Sequence, residues 1–207
     1  MTSPPTATSF AVLGLIALQP WTAYDLVAQS RRSLHWFWPR SEAHLYAELK
    51  RLVERGFAEA ELVEGRRRQS TRYTITTRGR EALQDWLATE PAPPSLEIEG
   101  LLRLLLADQG TPDDLTAALE ATARHVRQRY ADGQVLINEL LTTGGPFPER
   151  LHLISPMASL YAEFLLLLMR WCDETLAELN SWPSTKDVGL TAHGRERLQR
   201  VLDDRRL

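Results

Sequence analysis

The stretch from Ser41 to Leu83 constrains the fold of this chain more than any other. It reads S-E-A-H-L-Y-A-E-L-K-R-L-V-E-R-G-F, then A-E-A-E-L-V-E-G-R-R-R-Q-S-T-R-Y-T-I-T, then T-R-G-R-E-A-L. Leu45, Leu49 and Leu52 recur at the four-and-three spacing of one helix face. Ser41 is a strong N-cap for that helix, and Gly56 stops it near Arg55. Ala58–Val63 alternates as a strand, and Arg72–Thr76 is a second strand rich in β-formers. The turn between them holds three consecutive arginines. Thr77 then opens another helix through Leu83, Trp86 and Leu87. A helix, a basic hairpin and a helix, in that order, predict a winged helix-turn-helix, a fold that grips duplex DNA.

The residues before this stretch supply the remaining helices of such a domain. Phe10–Leu18 is a short apolar helix closed by Pro20. Thr22 caps a second helix, Ala23–Ser30, with Asp25 as its capping-box partner and with Tyr24, Leu26 and Val27 buried. An aromatic linker, H-W-F-W-P, leads to Ser41. Pro91, Pro93 and Pro94 mark a boundary, giving a DNA-binding domain over residues 1–90 with a two-stranded wing.

The second half reads as all helix, so the fold class is mainly α. Leu96–Gln109 is one helix. Thr111-Pro112-Asp113-Asp114 is a helix start with cap, proline and first-turn acids. Leu115, Leu119, Thr122, Val126, Tyr130, Gly133, Ile137 and Leu140 then keep a coiled-coil-like seam up to Gly144-Gly145-Pro146. Ser155-Pro156 opens a helix through Leu160, Phe164, Leu168, Trp171 and Leu179, closed by Pro183. Residues 95–182 form a helical dimerisation and effector domain, and 183–207 form a tail with a short helix over Ala192–Leu202. Residues 75–81, I-T-T-R-G-R-E, echo residues 190–196, L-T-A-H-G-R-E; the echo is read as a shared helix-start pattern, not a repeat.

Duplex DNA presents closely spaced phosphates and demands several cations within reach. Arg66, Arg67, Arg68 and Arg72 supply them on the hairpin, and Gln69, Ser70 and Thr71 add neutral donors. On the helix before it, Ser41, Ala43, His44, Tyr46 and Lys50 lie where a major groove would meet it. That face has few side chains that read base edges, so DNA shape is expected to share in recognition. A run of arginines alone is usually a solvated tip; its place in the order of elements gives it meaning. Charge agrees in sign: residues 1–90 hold 12 Lys+Arg against 10 Asp+Glu, and residues 91–207 hold 12 against 17.

Other chemistry is absent from the pattern. The five histidines show no helical metal-ligand spacing, and Cys172 stands alone, so no metal, disulfide or cofactor is expected. No phosphate loop or nucleophile motif is present, and an enzyme is not expected. The N-terminus lacks a basic, apolar leader pattern, and Phe164–Met169 is too short a run to span a bilayer; both predict a cytoplasmic protein without a membrane partner. That same run is apolar all round its helix and must be buried on both faces. A central core helix in a monomer would do this. With so few helices available, a second subunit against Tyr161, Phe164, Leu165, Leu168 and Trp171 is favoured. Trp171, Tyr161, Tyr130 and Trp182 either fill the core or line a ligand pocket.

The chain resembles the PadR family of bacterial transcriptional regulators. The resemblance is carried by L-G-L-I-A-L, T-A-Y-D-L, H-L-Y-A-E-L-K-R-L with E-R-G-F, and R-Y-T-I-T-T-R-G-R-E-A-L, between Leu13 and Trp86. Leu45-Tyr46 followed by Leu49 and Leu52 matches the family's recognition helix, and Tyr73 and Thr76 match the close of its wing. Ala23 departs from the glycine often found there. The second half is similar to the family's longer branch through E-I-E-G-L-L-R-L-L-L-A-D and L-L-M-R-W-C-D-E-T-L-A-E-L. Membership implies a homodimer on a palindromic operator, with repression relieved by a small molecule, in many members phenolic or otherwise aromatic and toxic. The rival reading is a winged-helix protein-interaction module whose arginine tip meets an acidic protein surface.

Overall fold

The computed structural model describes residues 4–64 and 69–203. It divides into two compact units, Met1–Pro94 and Ser95–Leu207.

In the first unit α1 spans Ala7–Leu18, earlier than its apolar run begins. Thr6 and Ser9 form a reciprocal capping box that adds the extra turn. Trp21–Thr22 forms a short strand, β1, and Thr22 then caps α2, Ala23–Arg32. Tyr24 is not buried there: it is 76% exposed. The stripe that packs inward is Leu26, Val27 and Ser30, and Tyr24 falls beside it. The Asp25 carboxylate accepts from the Thr22 hydroxyl at 2.7 Å, and the Asp25 backbone N–H donates back to that hydroxyl.

Helix α3, Glu42–Glu54, is capped by Ser41 and stopped by Gly56, whose φ of +71° suits a residue without Cβ. Strands β2, Ala58–Val63, and β3, Ser70–Ile75, are antiparallel, and β1 pairs with the free edge of β3. The sheet therefore has three strands in the order β1-β3-β2, not two. Helix α4, Thr77–Leu87, closes the unit. Val12, Leu13 and Ile16 of α1 meet Leu26 of α2, Leu49 and Leu52 of α3, and Ile75 of β3 in one core. Phe10 stacks on Trp86 at 4.9 Å, fixing α1 against α4.

In the second unit the segment read as one helix from Leu96 is shorter. α5 covers only Glu99–Leu105, and Ala107–Gln109 is a 3-10 turn. Ile98 offers α5 no side-chain cap, which leaves its start late. α6 runs Pro112–Thr143 from a Thr111–Asp114 capping box to Gly144 in the left-handed region. α7 runs Leu151–Leu179 with Pro156 inside it, not at its head. A 3-10 turn at Pro148–Arg150 leads directly into α7, so the helix starts before the proline. α8, Ala192–Asp203, follows.

The α6 seam is buried at Leu115, Leu119, Ala123 and Val126, then opens, with Ile137 38% exposed. Its first half is covered twice. Leu179 of α7 joins Leu115 and Leu119, and Gly100 of α5 lies close against Thr122. Of its neighbours, α7 packs against α6 most extensively. Nor is the Phe164–Met169 run buried on both faces: Leu165 is inside, but Leu166 and Leu167 are 44% and 51% exposed.

Helix α8 packs back on α7. Arg197 Nε lies 3.3 Å from Glu178, and the Thr191 hydroxyl donates to the same carboxylate. Thr76 and Thr191 both accept from the N–H three residues on, at Gly79 and Gly194, so the sequence echo is a shared N-cap geometry.

Candidate nucleic-acid interface

Helix α3 turns Leu45, Leu49 and Leu52 into the core, and this orientation decides what its other face offers. Ala43, His44, Tyr46 and Lys50 are exposed. Ser41 is exposed too, but its hydroxyl already accepts from the His44 N–H at 3.3 Å. Glu42, in the first turn, is ion-paired with Arg31 of α2. The pair tempers a negative charge that suits a helix N-terminus but would repel phosphate.

One residue on this helix breaks the amphipathic reading. Glu48 has a side chain only 1% exposed. Its carboxylate accepts from Ser9 Oγ of α1 at 2.6 Å and pairs with Arg51 on the helix surface. His44 Nε2 lies 3.6 Å from the same group. Sequence reasoning missed it because a glutamate between leucines reads as part of a polar face. The available signal was its position one residue before Leu49, on the flank of the buried stripe.

The wing register sorts its side chains by face. Ala58 pairs with Ile75, Ala60 with Tyr73 and Leu62 with Thr71, and the buried Ala58 and Ile75 mark the inner face. Burial there raises the Tyr73 hydroxyl above its ordinary pKa. Glu59, Glu61 and Val63 lie opposite Thr74, Arg72 and Ser70 on the outer face. Arg72 therefore stands across from Glu61, with Glu59 two residues along. Opposite charges facing each other across a ladder attract, which lowers the value of Arg72 as a phosphate contact. Gln69 is exposed near the tip, and Ser70 and Thr71 are half-buried. Arg66, Arg67 and Arg68 lie outside the described residues.

At the wing base, α4 approaches as closely as atoms permit. The Thr76 hydroxyl donates to the Gly56 carbonyl at 2.7 Å, and the Phe57 carbonyl accepts from the Thr76 N–H at 3.1 Å. A Cβ on Gly79 would stand 2.1 Å from that Phe57 oxygen. The α3 terminus, the wing and α4 thus meet in one clasp that sets where the hairpin points.

Of the residues assigned from sequence to subunit contact, Leu165 is 5% exposed and already occupied inside the chain. Tyr161 accepts from Arg129 of α6 at 3.3 Å. Phe164 falls on a stripe with Leu153, Met157, Leu160 and Leu167, spaced alternately four and three residues apart, and Trp171 ends the stripe half-buried against Leu115, Leu119 and Leu179. Leu153, Leu160 and Leu167 are 52%, 71% and 51% exposed. Cys172 is buried, and burial with Asp173 beside it raises its thiol pKa, against a smaller opposing effect of Arg127. It is no poised nucleophile. Among the described residues no cluster of potential metal ligands occurs.

A helix packed across two others, with a three-stranded sheet and wing beside its exposed face, defines a winged helix-turn-helix fold. More particularly, residues 12–85 match the model of the Transcriptional regulator PadR-like family. The Negative transcriptional regulator PadR of Bacillus subtilis (strain 168) is 30% identical over 96 residues, which span 45% of this chain and 53% of that protein. The chain thus matches about half the length of that curated relative. Solved structures extend the likeness of fold. Bacillus subtilis PadR in complex with operator DNA superposes with a TM-score of 0.68 at 21% identity, covering 84% of this chain and 99% of that one. The same protein in complex with p-coumaric acid gives 0.62 at 22% identity, over 86% and 99%. The Vibrio cholerae virulence activator AphA gives 0.66 at 23% identity, over 84% and 99%.

The α7 region also corrects the reading of Phe164–Met169 as merely a short run. Pro148–Leu179 is long and apolar enough to cross a membrane by length and composition, with 11% of its most apolar stretch buried. One such helix is weak evidence for a span. Here α6 packs along α7, and Arg127 pairs with Asp173 between them.

Proposed function

We propose that this chain is a cytoplasmic, homodimeric repressor that binds a palindromic operator and releases it on binding a small aromatic acid. The observation that carries the DNA reading is the exposed face of α3, with His44, Tyr46 and Lys50 beside the wing inside a PadR-like domain. In it, α3 enters the major groove, and Ser41, Ala43, His44, Tyr46 and Lys50 face base edges or phosphate. Arg66, Arg67, Arg68 and Gln69 contact the backbone at the wing, while Ser70, Thr71 and Arg72 contribute less. Two copies of α3 would stand about 34–36 Å apart, one turn of duplex.

The stripe from Leu153 to Trp171 supports the dimer. An apolar heptad-spaced face on a long helix needs cover, and a second copy of the same helix supplies a matching one. In this reading Phe164 and Trp171 meet the partner, and Tyr161, Leu165 and Leu168 support them from within.

For the effector, the supporting feature is Trp182. Its indole Nε1 is buried with no hydrogen-bond acceptor, beside the cluster of Leu115, Leu119 and Leu179. An unpaired buried donor suits a ligand oxygen. The relative's complex with p-coumaric acid makes that compound the first probe.

The test is selection of duplexes from a random pool by the wild-type protein, followed by a mobility shift with and without p-coumaric acid. An enriched inverted repeat bound by a dimer supports the reading. Failure to shift any duplex at low salt would refute DNA binding and favour a protein-docking role. Loss of the p-coumaric acid response in Trp182→Phe would support the effector site.

A further inference from the structure

A carboxylate inside a small helical domain is costly unless both oxygens are satisfied. Glu48 meets that demand through groups that belong to different parts of the molecule. Ser9 Oγ donates to one oxygen at 2.6 Å and itself accepts from the Thr6 N–H at 2.9 Å. A continuous path therefore runs from the cap of α1, through the interior, to the outer face of α3. There the other oxygen pairs with Arg51 and stands 3.6 Å from His44 Nε2. The Arg51 and His44 side chains are 47% and 44% exposed, so each lies against the carboxylate and is also open to solvent.

Packing alone does not call for this arrangement. Leu45, Leu49 and Leu52 already seal α3 into the core, and an apolar residue in place of a buried ion pair is often no less stable. What an apolar residue lacks is a fixed charge to hold Arg51 and His44. An unrestrained arginine pairs with any phosphate within reach, which strengthens binding to every sequence alike.

We propose that Glu48 is a positioning residue for DNA recognition: it aims His44 and Arg51 from the face of α3 and withholds Arg51 from indiscriminate phosphate binding. The inference rests on the DNA-binding reading above. Ser9 makes α1 part of the device, since the carboxylate that orients these side chains is anchored to that helix.

Glu48→Gln separates charge from packing, because the amide oxygen still accepts from Ser9. Affinity is measured by fluorescence anisotropy across a salt series. One duplex is selected from a random pool by the wild type; the other is a shuffled duplex of equal length. Binding of the shuffled duplex should strengthen several-fold, and its salt slope should steepen by about one. The ratio of selected to shuffled affinity should fall about tenfold, a change that a merely structural loss would not produce together with tighter shuffled binding. In the free protein, the Arg51 Nε–Hε resonance should be resolved in the wild type and merge with the mobile arginines in the variant. Glu48→Met, which needs no polar partner, carries the same expectations if the glutamine variant folds poorly. A wild type that binds neither duplex would overturn the DNA-binding reading and this proposal with it. A wild type that binds, beside variants with unchanged ratio and slope, would overturn the proposal alone.

Discussion

Replacing Gly79 with alanine puts a methyl group where the structure has none to spare. The new Cβ would lie 2.1 Å from the Phe57 carbonyl oxygen, 2.9 Å from its carbon and 3.0 Å from Ile75 Cγ1. Carbon and oxygen touch at about 3.3 Å, so about 1 Å of backbone movement is needed. The two nearest atoms are backbone of Phe57, just before β2, not the end of a flexible side chain. Helix propensity opposes the clash, since alanine is better than glycine by about 1 kcal/mol. Overpacking costs about 1–3 kcal/mol. Weakening the Phe57–Thr76 backbone bond adds about 1 kcal/mol. The net is a loss of about 2 kcal/mol, and a domain of this size loses about 4–8 °C in Tm for each kcal/mol. Gly194 is the internal control. It holds the same place after its cap threonine, but its added Cβ meets only side-chain atoms, at 3.0 and 3.4 Å. Circular dichroism melts should show Gly79→Ala down by about 10 °C, and Gly194→Ala within a few degrees of wild type. Gly79→Ala should also bind DNA more weakly, because the displaced atoms form the base of the wing. A Gly79→Ala protein as stable as wild type would refute the clasp.

Leu160→Glu or Leu167→Glu should convert the dimer to monomer in sedimentation velocity, each placing a charge on an exposed apolar stripe; a sedimentation coefficient unchanged in both would rule out that face. Phe164→Glu should do the same, while Leu168→Glu should lower stability as well. Arg67→Ala or Arg68→Ala should weaken binding to all duplexes and reduce the salt slope by about one per lost phosphate contact; equal slopes in both would remove the wing from the interface. The Asp114 carboxyl is held below its ordinary 3.8 by the Thr111 hydroxyl and then by the Thr111 backbone N–H. Its contribution to stability is therefore complete above the unfolded value and lost as pH falls through the lower folded one. Thr111→Val should raise the titration midpoint of the Asp114 carboxyl carbon toward 3.8, as read by NMR; an unmoved midpoint would discount the hydroxyl.

What the sequence determined by itself was local. Thr22, Ser41 and Thr111 announce helix starts because a short side-chain oxygen reaches the N–H three residues on, whatever else the chain does. The hairpin follows from alternation on both sides of a turn, and Leu45, Leu49 and Leu52 fix the inner face of α3 by spacing alone. Those signals were enough for the class of fold and for the exposed positions of α3. Tertiary structure decided whatever depends on residues far apart in the chain. Trp21–Thr22 is too short to read as a strand, and becomes one only because the edge of β3 is free to pair. Gly79 is constrained by Phe57, and Arg72 meets Glu61 through the register of the ladder. Phe164–Met169 was legible as apolar, yet which of its sides stays open depends on where α6 lies. Glu48 is the clearest case. In sequence it is one more charge on a helix, and only the approach of Ser9 from α1 makes it a buried group with a direction. Periodicity reports which face is inward; it carries no information about the polar atom waiting on the other side.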